Sequence, residues 1–304
     1  MTAGPPAPGV GAVVVNYEAG PALIACVASL RAAGLEALVV VDNASRDGSL
    51  AALAAADSAV VLVPEGRNLG YGAAVNAGVE RLSERFGAPE FVLVCNPDLE
   101  VDHDAVDALR SALEVAPDCA VAGPTLCWPS GERYPSARAF PSYGTALAHG
   151  LLAQFAPNNR WSRRYRQDEL AASAGRGDHP EVDWVSGACF LVRTRAFASI
   201  GGFDEAYFMY VEDLDLCWRL RRAGWSVRYV PEARVVHAQG LSAGRHPYRM
   251  LVAHHASTWR FARRRAVGAE RLALPAIGGG IAARLGVSLA RQALRRSSSR
   301  PSVH

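Results

Sequence analysis

Three carboxylates within four positions, Glu212, Asp213 and Asp215, stand directly after an aromatic cluster of Tyr207, Phe208 and Tyr210. A carboxylate at a helix start beside apolar rings has the surroundings of a general base, because an apolar setting lifts its proton affinity toward neutral pH. The helix itself is read from Leu214, Cys217 and Trp218 at i, i+3, i+4 spacing, with Gly224 as its C-terminal stop. Acids in its first turn, and Arg219, Arg221 and Arg222 in its last, also compensate the helix dipole at about 0.3–1 kcal/mol per charge. Dipole compensation explains the acids, but not the preceding Gly201-Gly202-Phe203-Asp204-Glu205 turn and the aromatic loop that follows it. Upstream, the apolar run Ala188–Val192 reads as a buried strand.

A second set of polar residues recurs where strands should end. Ala12–Val15, Ala37–Val41, Val60–Val63 and Phe91–Val94 read as strands, and they lead to Asn16-Tyr17, Asp42-Asn43, Asn68 and Asn96-Pro97-Asp98. Between them lie helix-length segments, one opened by Pro21 and closed by Gly34, one around Leu50–Ala56 and one near Ala73–Arg85. Alternation of this kind predicts βαβ units and an α/β fold with a mostly parallel sheet. Ligands in such sheets bind beyond the carboxyl ends of the strands, where these four polar residues fall. A glycine cradle for phosphates is missing: the first turn is Asn16-Tyr17-Glu18-Ala19-Gly20, without G-x-G-x-x-G, and a chain with no lysine has no Walker-type loop. A nucleotide diphosphate here needs a cation instead, and Asp98 can hold one through oxygen, as Mg²⁺ commonly is held by one or two carboxylates plus phosphates.

Half of the 304 residues are hydrophobic, enough for one large domain or two small ones. Six scattered cysteines without a C-x-x-C pair suit a reduced, cytosolic setting better than a disulfide framework or a zinc site. Met1–Gly9 is rich in Pro and Gly and uncharged, the composition of a flexible N-terminus and not of a signal peptide. The charge is uneven. From Arg245 onward twelve arginines face the single acid Glu270, giving the tail +11 and, from a total of +3, leaving about −8 for the rest. A basic tail on an acidic body points to an anionic partner. Within it Leu272–Leu289 is apolar but interrupted by Pro275, Gly278-Gly279-Gly280 and Arg284, which predicts an interfacial helix on an anionic membrane surface rather than a spanning one. Nucleic acid is not expected as a partner, because the last forty residues carry no aromatic side chain for stacking.

Taken together the motifs resemble family 2 glycosyltransferases of the GT-A fold. They are VVVNYEAG, VVVDNASRDGS, RNLGYGAAVNAG, NPDLEV and VSGACFLVRTRAFASIGGFDEAYFMYVEDLDLCWRLRRAGW, followed by HAQG, and span about Ala12–Gly240. That family is inverting, metal-dependent and uses nucleotide sugars. The resemblance implies that Asn16 and Asp42 contact the donor nucleotide with Tyr17, Glu18 and Asn43 beside them, and that Asn68, Gly70 and Asn96 line the donor pocket. It makes Asp98 the carboxylate for Mg²⁺ or Mn²⁺, with His237 at a position that reaches metal or diphosphate in related enzymes. Asp213 becomes the base, assisted by Glu212, with Asp215 expected to cap the helix and Trp184 and Gly187 to border the acceptor. Asn96 stands where the D-x-D-like motif has its first Asp, which weakens the charge of that site.

The F-M-Y-x-E-D-x-D-L-C-W-R form most resembles actinobacterial rhamnosyltransferases that move L-rhamnose from dTDP-rhamnose onto polyprenyl-diphosphate-linked GlcNAc in cell-wall assembly. The resemblance places the enzyme in the cytoplasm, on the inner face of the plasma membrane. A galactofuranosyl- or mannosyltransferase of the same fold and a non-catalytic nucleotide-sugar-binding module are the competing expectations. The domain division expected is 1–9 as a flexible terminus, 10–244 as the catalytic domain and 245–304 as a basic amphipathic tail. Residues 134–183, rich in Arg, Pro and Gly, read as an acceptor-side insertion with Arg160, Arg163 and Arg164 near a lipid diphosphate.

Overall fold

The computed structural model describes residues 9–140, 175, 177–238 and 247–298. Residues 1–8, Arg160, Arg163, Arg164 and most of the 134–183 insertion therefore lie outside the described residues. The valine-rich runs form β1 (Val10–Asn16), β2 (Leu38–Asp42), β3 (Val61–Pro64) and β4 (Phe91–Cys95), joined through α1 (Ala22–Ala32), α2 (Ser49–Ala56) and α3 (Tyr71–Phe86). In the sheet β3, β2, β1 and β4 are parallel neighbours in that order. Their side chains alternate between two cores. Ala12, Val14, Leu38 and Val40 pack with α1, α2 and α4 (Ala105–Glu114), while Val13, Val15, Val39 and Val41 face α3. Burial on both faces explains the near-continuous apolar runs.

Beyond β4 the sheet becomes mixed. Its further elements are β5 (Leu99–Val101), β6 (Cys119–Cys127), β7 (Arg133–Tyr134), β10 (Cys189–Arg193) and β11 (Ser226–His237), and β8 (Ala137–Arg138) pairs with β9 (Trp184–Val185) as a separate ribbon. The expected Ala188–Val192 strand is β10, and it runs antiparallel to β4, with Cys189 opposite Cys95. This reversal brings the start of β10 to the carboxyl end of β4, where the Asn96 N–H donates to Ala188 O at 2.8 Å. At the sheet edge β5 pairs antiparallel with β11, and the Leu99–His237 register sets Asp98 beside His237. The strand directions thus converge on one rim.

Two short-range elements complete that rim. After α5 (Thr194–Ser199) the chain turns through Gly201–Tyr210 into α6 (Glu212–Arg222), whose stop is Gly224 at φ +89°. At the C-terminus α7 (Pro247–Arg265), a 3₁₀ turn (Gly268–Ala273) and α8 (Leu274–Ser298) follow. The interruptions expected to shorten the last segment do not do so. Pro275 is the second residue of α8, where its missing N–H costs no intrahelical bond. Gly278 sits where a Cβ would crowd the Trp259 ring of α7, at 3.2 Å. Gly268–Leu294 is one 27-residue helical stretch containing an 18-residue window of mean hydropathy 1.5, none of it buried, and by length and composition alone it is long enough to cross a membrane. The expected interruptions therefore leave the segment helical.

Candidate active site

Glu212 and Asp213 open α6. Asp213 accepts two backbone hydrogen bonds, from Gly187 N–H to Oδ2 and from Leu214 N–H to Oδ1, both at 2.8 Å. Gly187 permits this approach, since a Cβ there would stand 3.0 Å from the Asp213 Cβ. The Gly187 carbonyl in turn accepts the Tyr71 hydroxyl at 2.6 Å, and burial lifts that phenol well above its usual range, so it stays a donor. Glu212 differs. It is buried, its Oε2 has no hydrogen-bond partner, and burial followed by the neighbouring Asp213 charge pushes its pKa up to about 8. Burial also raises Asp213, but the Gly187 and Leu214 N–H groups and the Arg138 guanidinium work against that rise. Two adjacent carboxyls cannot both ionise cheaply in one dry site. The one with the backbone donors, Asp213, carries the charge, and Glu212 holds a proton at neutral pH.

The turn that delivers this pair is strained. Tyr210 and Val211 have φ values of 67° and 70°, in the left-handed region that a β-branched residue avoids, at about 1–3 kcal/mol each. Such strain persists only where surroundings over-determine it. On one side the Tyr71 N–H donates to Phe208 O at 3.0 Å, and Gly70, at φ +90°, lies where any Cβ would collide with that carbonyl. Gly70 therefore meets the Phe208 turn as well as Asn43 in the loop after β2.

Asp215 does not cap the helix. It is fully buried and accepts from Arg219 Nε at 2.7 Å and from the Tyr207 hydroxyl at 3.2 Å, with an Arg264 guanidinium nitrogen at 3.5 Å. Arg219 lies one turn on in the same helix and Tyr207 eight residues earlier, but Arg264 comes from α7, a contact that local sequence could not reveal. Asp215 is an anchor for α6, and the expectation of a cap is corrected.

At the donor end, Asn16 is fully buried and donates from Nδ2 to Asp42 Oδ1 at 2.6 Å, to Ser49 Oγ at 2.9 Å and to Ser45 Oγ at 3.2 Å. Asp42 Oδ2 accepts the Ser45 N–H at 3.0 Å. Asn16 thus aims Asp42 from beneath. Asn43 ties the loop after β2 to the loop before α3, donating to Gly70 O and accepting from Leu69 N–H, both at 3.2 Å. Asn68 lies four residues beyond β3, with Oδ1 accepting the Gly70 N–H at 2.9 Å. Glu18, at φ 55°, accepts the Arg46 N–H at 2.7 Å, and Tyr17 beside it is partly exposed. These residues form one cluster over β1 and β2.

A second group holds Asp98, Asn96 and His237. Asp98 Oδ1 stands 3.2 Å from His237 Nε2, and Asn96 Nδ2 stands 3.5 Å from the same nitrogen. The buried His237 Nδ1 has no partner. One carboxylate and one imidazole side by side fit a divalent cation that takes its remaining ligands from phosphate and water. No group of three or more His, Cys, Asp and Glu gathers as a full protein cage among the described residues.

The acceptor side contains residues the sequence reading missed. Trp184 is buried and donates from Nε1 to Ala139 O at 3.1 Å, so it forms a floor rather than an exposed wall. Above it lies the Arg138 guanidinium, 4.9 Å from the Trp184 ring centre and 3.0 Å from the Tyr134 hydroxyl, which it donates to. Arg138 is also the cation that favours ionised Asp213. In a chain whose only strong bases are arginines, no single Arg stands out, and only the β8–β9 pairing of Arg138 with Trp184 reveals it. Tyr71 was visible within the RNLGYGAAVNAG motif but not its bond to Gly187.

Comparison with known proteins shows the family. Residues 6–271 match the family described as glycosyltransferase like family 2. Among curated proteins, the chain is 41% identical over 297 residues to N-acetylglucosaminyl-diphospho-decaprenol L-rhamnosyltransferase of Mycobacterium tuberculosis, covering 95% of each chain. It is 29% identical over 174 residues to rhamnosyltransferase WbbL of Escherichia coli K12, covering 55% of this chain and 60% of that one. Among solved structures, GalNAc-T7 with UDP, GalNAc and Mn²⁺ aligns at a TM-score of 0.56 and 15% identity, over 76% of this chain and 43% of that one. Staphylococcus aureus TarS 1–349 with UDP aligns at 0.51 and 14%, over 82% and 64%. These likenesses establish the GT-A type of fold, and the chain belongs to the family 2 glycosyltransferases.

Proposed function

We propose that the protein is an inverting rhamnosyltransferase that moves L-rhamnose from dTDP-rhamnose onto a polyprenyl-diphosphate-linked GlcNAc in cell-wall assembly. The observation that carries the chemistry is the environment of Asp213: a carboxylate fixed by two N–H donors, beside a protonated carboxyl, on the rim of the sheet. The acceptor hydroxyl gives its proton to Asp213 as its oxygen bonds to the anomeric carbon. The bond from that carbon to the diphosphate oxygen breaks, and its electron pair leaves with the nucleoside diphosphate. One displacement inverts the centre. Asp42, aimed by Asn16, and Asn43, Asn68 and Gly70 bind the nucleotide end, with Tyr17 and Glu18 beside them. Trp184, Arg138 and Gly187 shape the acceptor side. Asp98 and His237, next to Asn96, would hold Mg²⁺ or Mn²⁺, which neutralises charge on the leaving diphosphate. The choice of sugar and acceptor is supported by the likeness to the mycobacterial protein over 95% of both chains.

Turnover of a panel of nucleotide sugars against a polyprenyl-diphosphate-GlcNAc acceptor tests this reading. dTDP-rhamnose should exceed UDP-galactofuranose and GDP-mannose by about 10²-fold or more, the discrimination a pocket shaped for a 6-deoxy sugar gives against a sugar that carries the extra hydroxyl. Faster transfer from either of the others assigns the chain to a different sugar within the same fold.

The tail is proposed to bring the enzyme to the cytoplasmic membrane face. α8 is covered on one side by α7 through Trp259 and Gly278, while Leu272, Val287 and Leu294 are exposed. Arg284 and Arg291 fall inside the segment, which suits lying along an anionic surface better than crossing it. A chain ending at Arg265 should lose binding to anionic vesicles at roughly 1 kcal/mol per arginine removed near the surface, yet still turn over a soluble acceptor analogue. Equal vesicle binding by both chains contradicts this, and resistance of the full chain to alkaline extraction indicates a spanning helix.

A further inference from the structure

The base-bearing turn has a second support, from a helix outside the sheet. Ser257 Oγ of α7 donates to Met209 O at 3.0 Å, and Ser257 is itself buried. One turn earlier on the same helix the His254 ring stands 5.5 Å from the Tyr210 ring. One turn later Phe261 meets Trp218 of α6 edge-on at 5.9 Å. At the end of α7, Arg264 pairs with Asp204, at the start of the turn, and lies 3.5 Å from buried Asp215 on α6. Four side chains spaced along one helix thus grip residues 204 to 218, spanning the strained Tyr210-Val211 pair and the Glu212-Asp213 pair that follows.

We infer that Ser257 is a positioning residue for the transfer reaction. Its hydroxyl fixes the Met209 carbonyl from the α7 side, while Tyr71 N–H fixes the Phe208 carbonyl from the α3 side. Two consecutive carbonyls held from opposite directions leave the next two residues no relaxed path into α6. The left-handed φ angles of Tyr210 and Val211 are the result, and they set Asp213 against Gly187 N–H. Without the Ser257 bond, the Met209 peptide can rotate, the turn relaxes toward ordinary φ values, and Asp213 moves away from the acceptor hydroxyl it must deprotonate. Ser257 is buried and its hydroxyl is spent on the Met209 carbonyl, so donor binding should be unaffected by its loss. α7 belongs functionally to the active site, although it lies in the basic tail by sequence.

This inference rests on Asp213 being the base, and its test separates the two ideas. Ser257→Ala removes the hydroxyl, and Ser257→Thr keeps it. Ser257→Ala should lower kcat by about 10- to 100-fold, the usual effect of misplacing a reacting group by about an ångström, with donor KM within about twofold of wild type. Ser257→Thr should recover most of that kcat. Amide hydrogen exchange across residues 209–213 should speed up in Ser257→Ala alone, a readout independent of which residue is the base. Wild-type kcat in Ser257→Ala, unchanged exchange at 209–213, or equal losses in both variants overturns the inference. Arg264→Gln supplies a second handle should Ser257→Ala not fold: it loosens α7 from Asp204 and Asp215 and should show the same split between kcat and KM. Wild-type kcat there also contradicts the proposal. Full turnover in Asp213→Asn with altered exchange in Ser257→Ala removes the base assignment but leaves the positioning contact standing.

Discussion

Replacing Asp98 by Ala is expected to bring turnover to near background, a loss of about 10³-fold or more. The estimate follows from charge stabilisation by a bound cation, worth several kcal/mol, with each 1.36 kcal/mol equal to a factor of ten in rate. Among the described residues Asp98 is the carboxylate paired with His237, and Asn96 beside it adds no charge. Its removal leaves one imidazole and one amide to meet a diphosphate. Donor affinity should fall and lose its dependence on Mg²⁺ or Mn²⁺, and because the nearly buried His237 also loses its partner, turnover is compared on folded protein. Unchanged metal dependence of donor binding in Asp98→Ala contradicts the assignment of the cation to this site. His237→Ala should be milder, since the carboxylate remains.

Much of this geometry was legible in the sequence because it depends on short-range pattern. The runs before Asn16, Asp42 and Asp98 had to be buried strands, and α6 could be read from Leu214, Cys217 and Trp218 with Gly224 beyond them. Periodicity does not encode strand direction, so the antiparallel course of β10, which carries Gly187 to Asp213, was not readable. Asp215 looked like a helix-start acid because its partners Tyr207 and Arg264 are set only by tertiary packing. Arg138 was one arginine among 32 basic residues until the β8–β9 ribbon placed it over Trp184. The continuity of the tail helix was hidden for another reason. Glycines and a proline weaken an isolated helix, but Gly278 allows close contact with Trp259, and Pro275 sits in the first turn.

The second large effect concerns the carboxylates at the start of α6. Asp213→Asn keeps the shape but cannot take a proton, and its amide can accept from only one of the Gly187 and Leu214 N–H groups, so kcat should fall by about 10²–10⁴-fold. Donor affinity should stay near wild type, because the nucleotide cluster over β1 and β2 and the Asp98–His237 pair lie on other elements. Glu212→Gln should cost less, since a neutral amide replaces an acid that is already protonated at neutral pH. It should also change stability with pH. The folded chain holds the Glu212 proton to about pH 8, whereas an ordinary carboxyl releases it near 4.5. Stability from this group is therefore present at low pH and lost as pH rises through that window. Gln removes that loss, so the variant should gain in melting temperature over wild type between pH 5 and 8. Asp215→Asn should act on stability instead, because it leaves the largely buried Arg219 without its counter-charge, at about 3–5 kcal/mol.

Among these, the kcat of folded Asp213→Asn with saturating donor and acceptor tests the central claim most directly. The account predicts about one hundredth of wild type or less, with donor affinity close to wild type. A variant that keeps more than about a tenth of wild-type kcat, above the range of general-base catalysis, places the base elsewhere in the chain and contradicts the account.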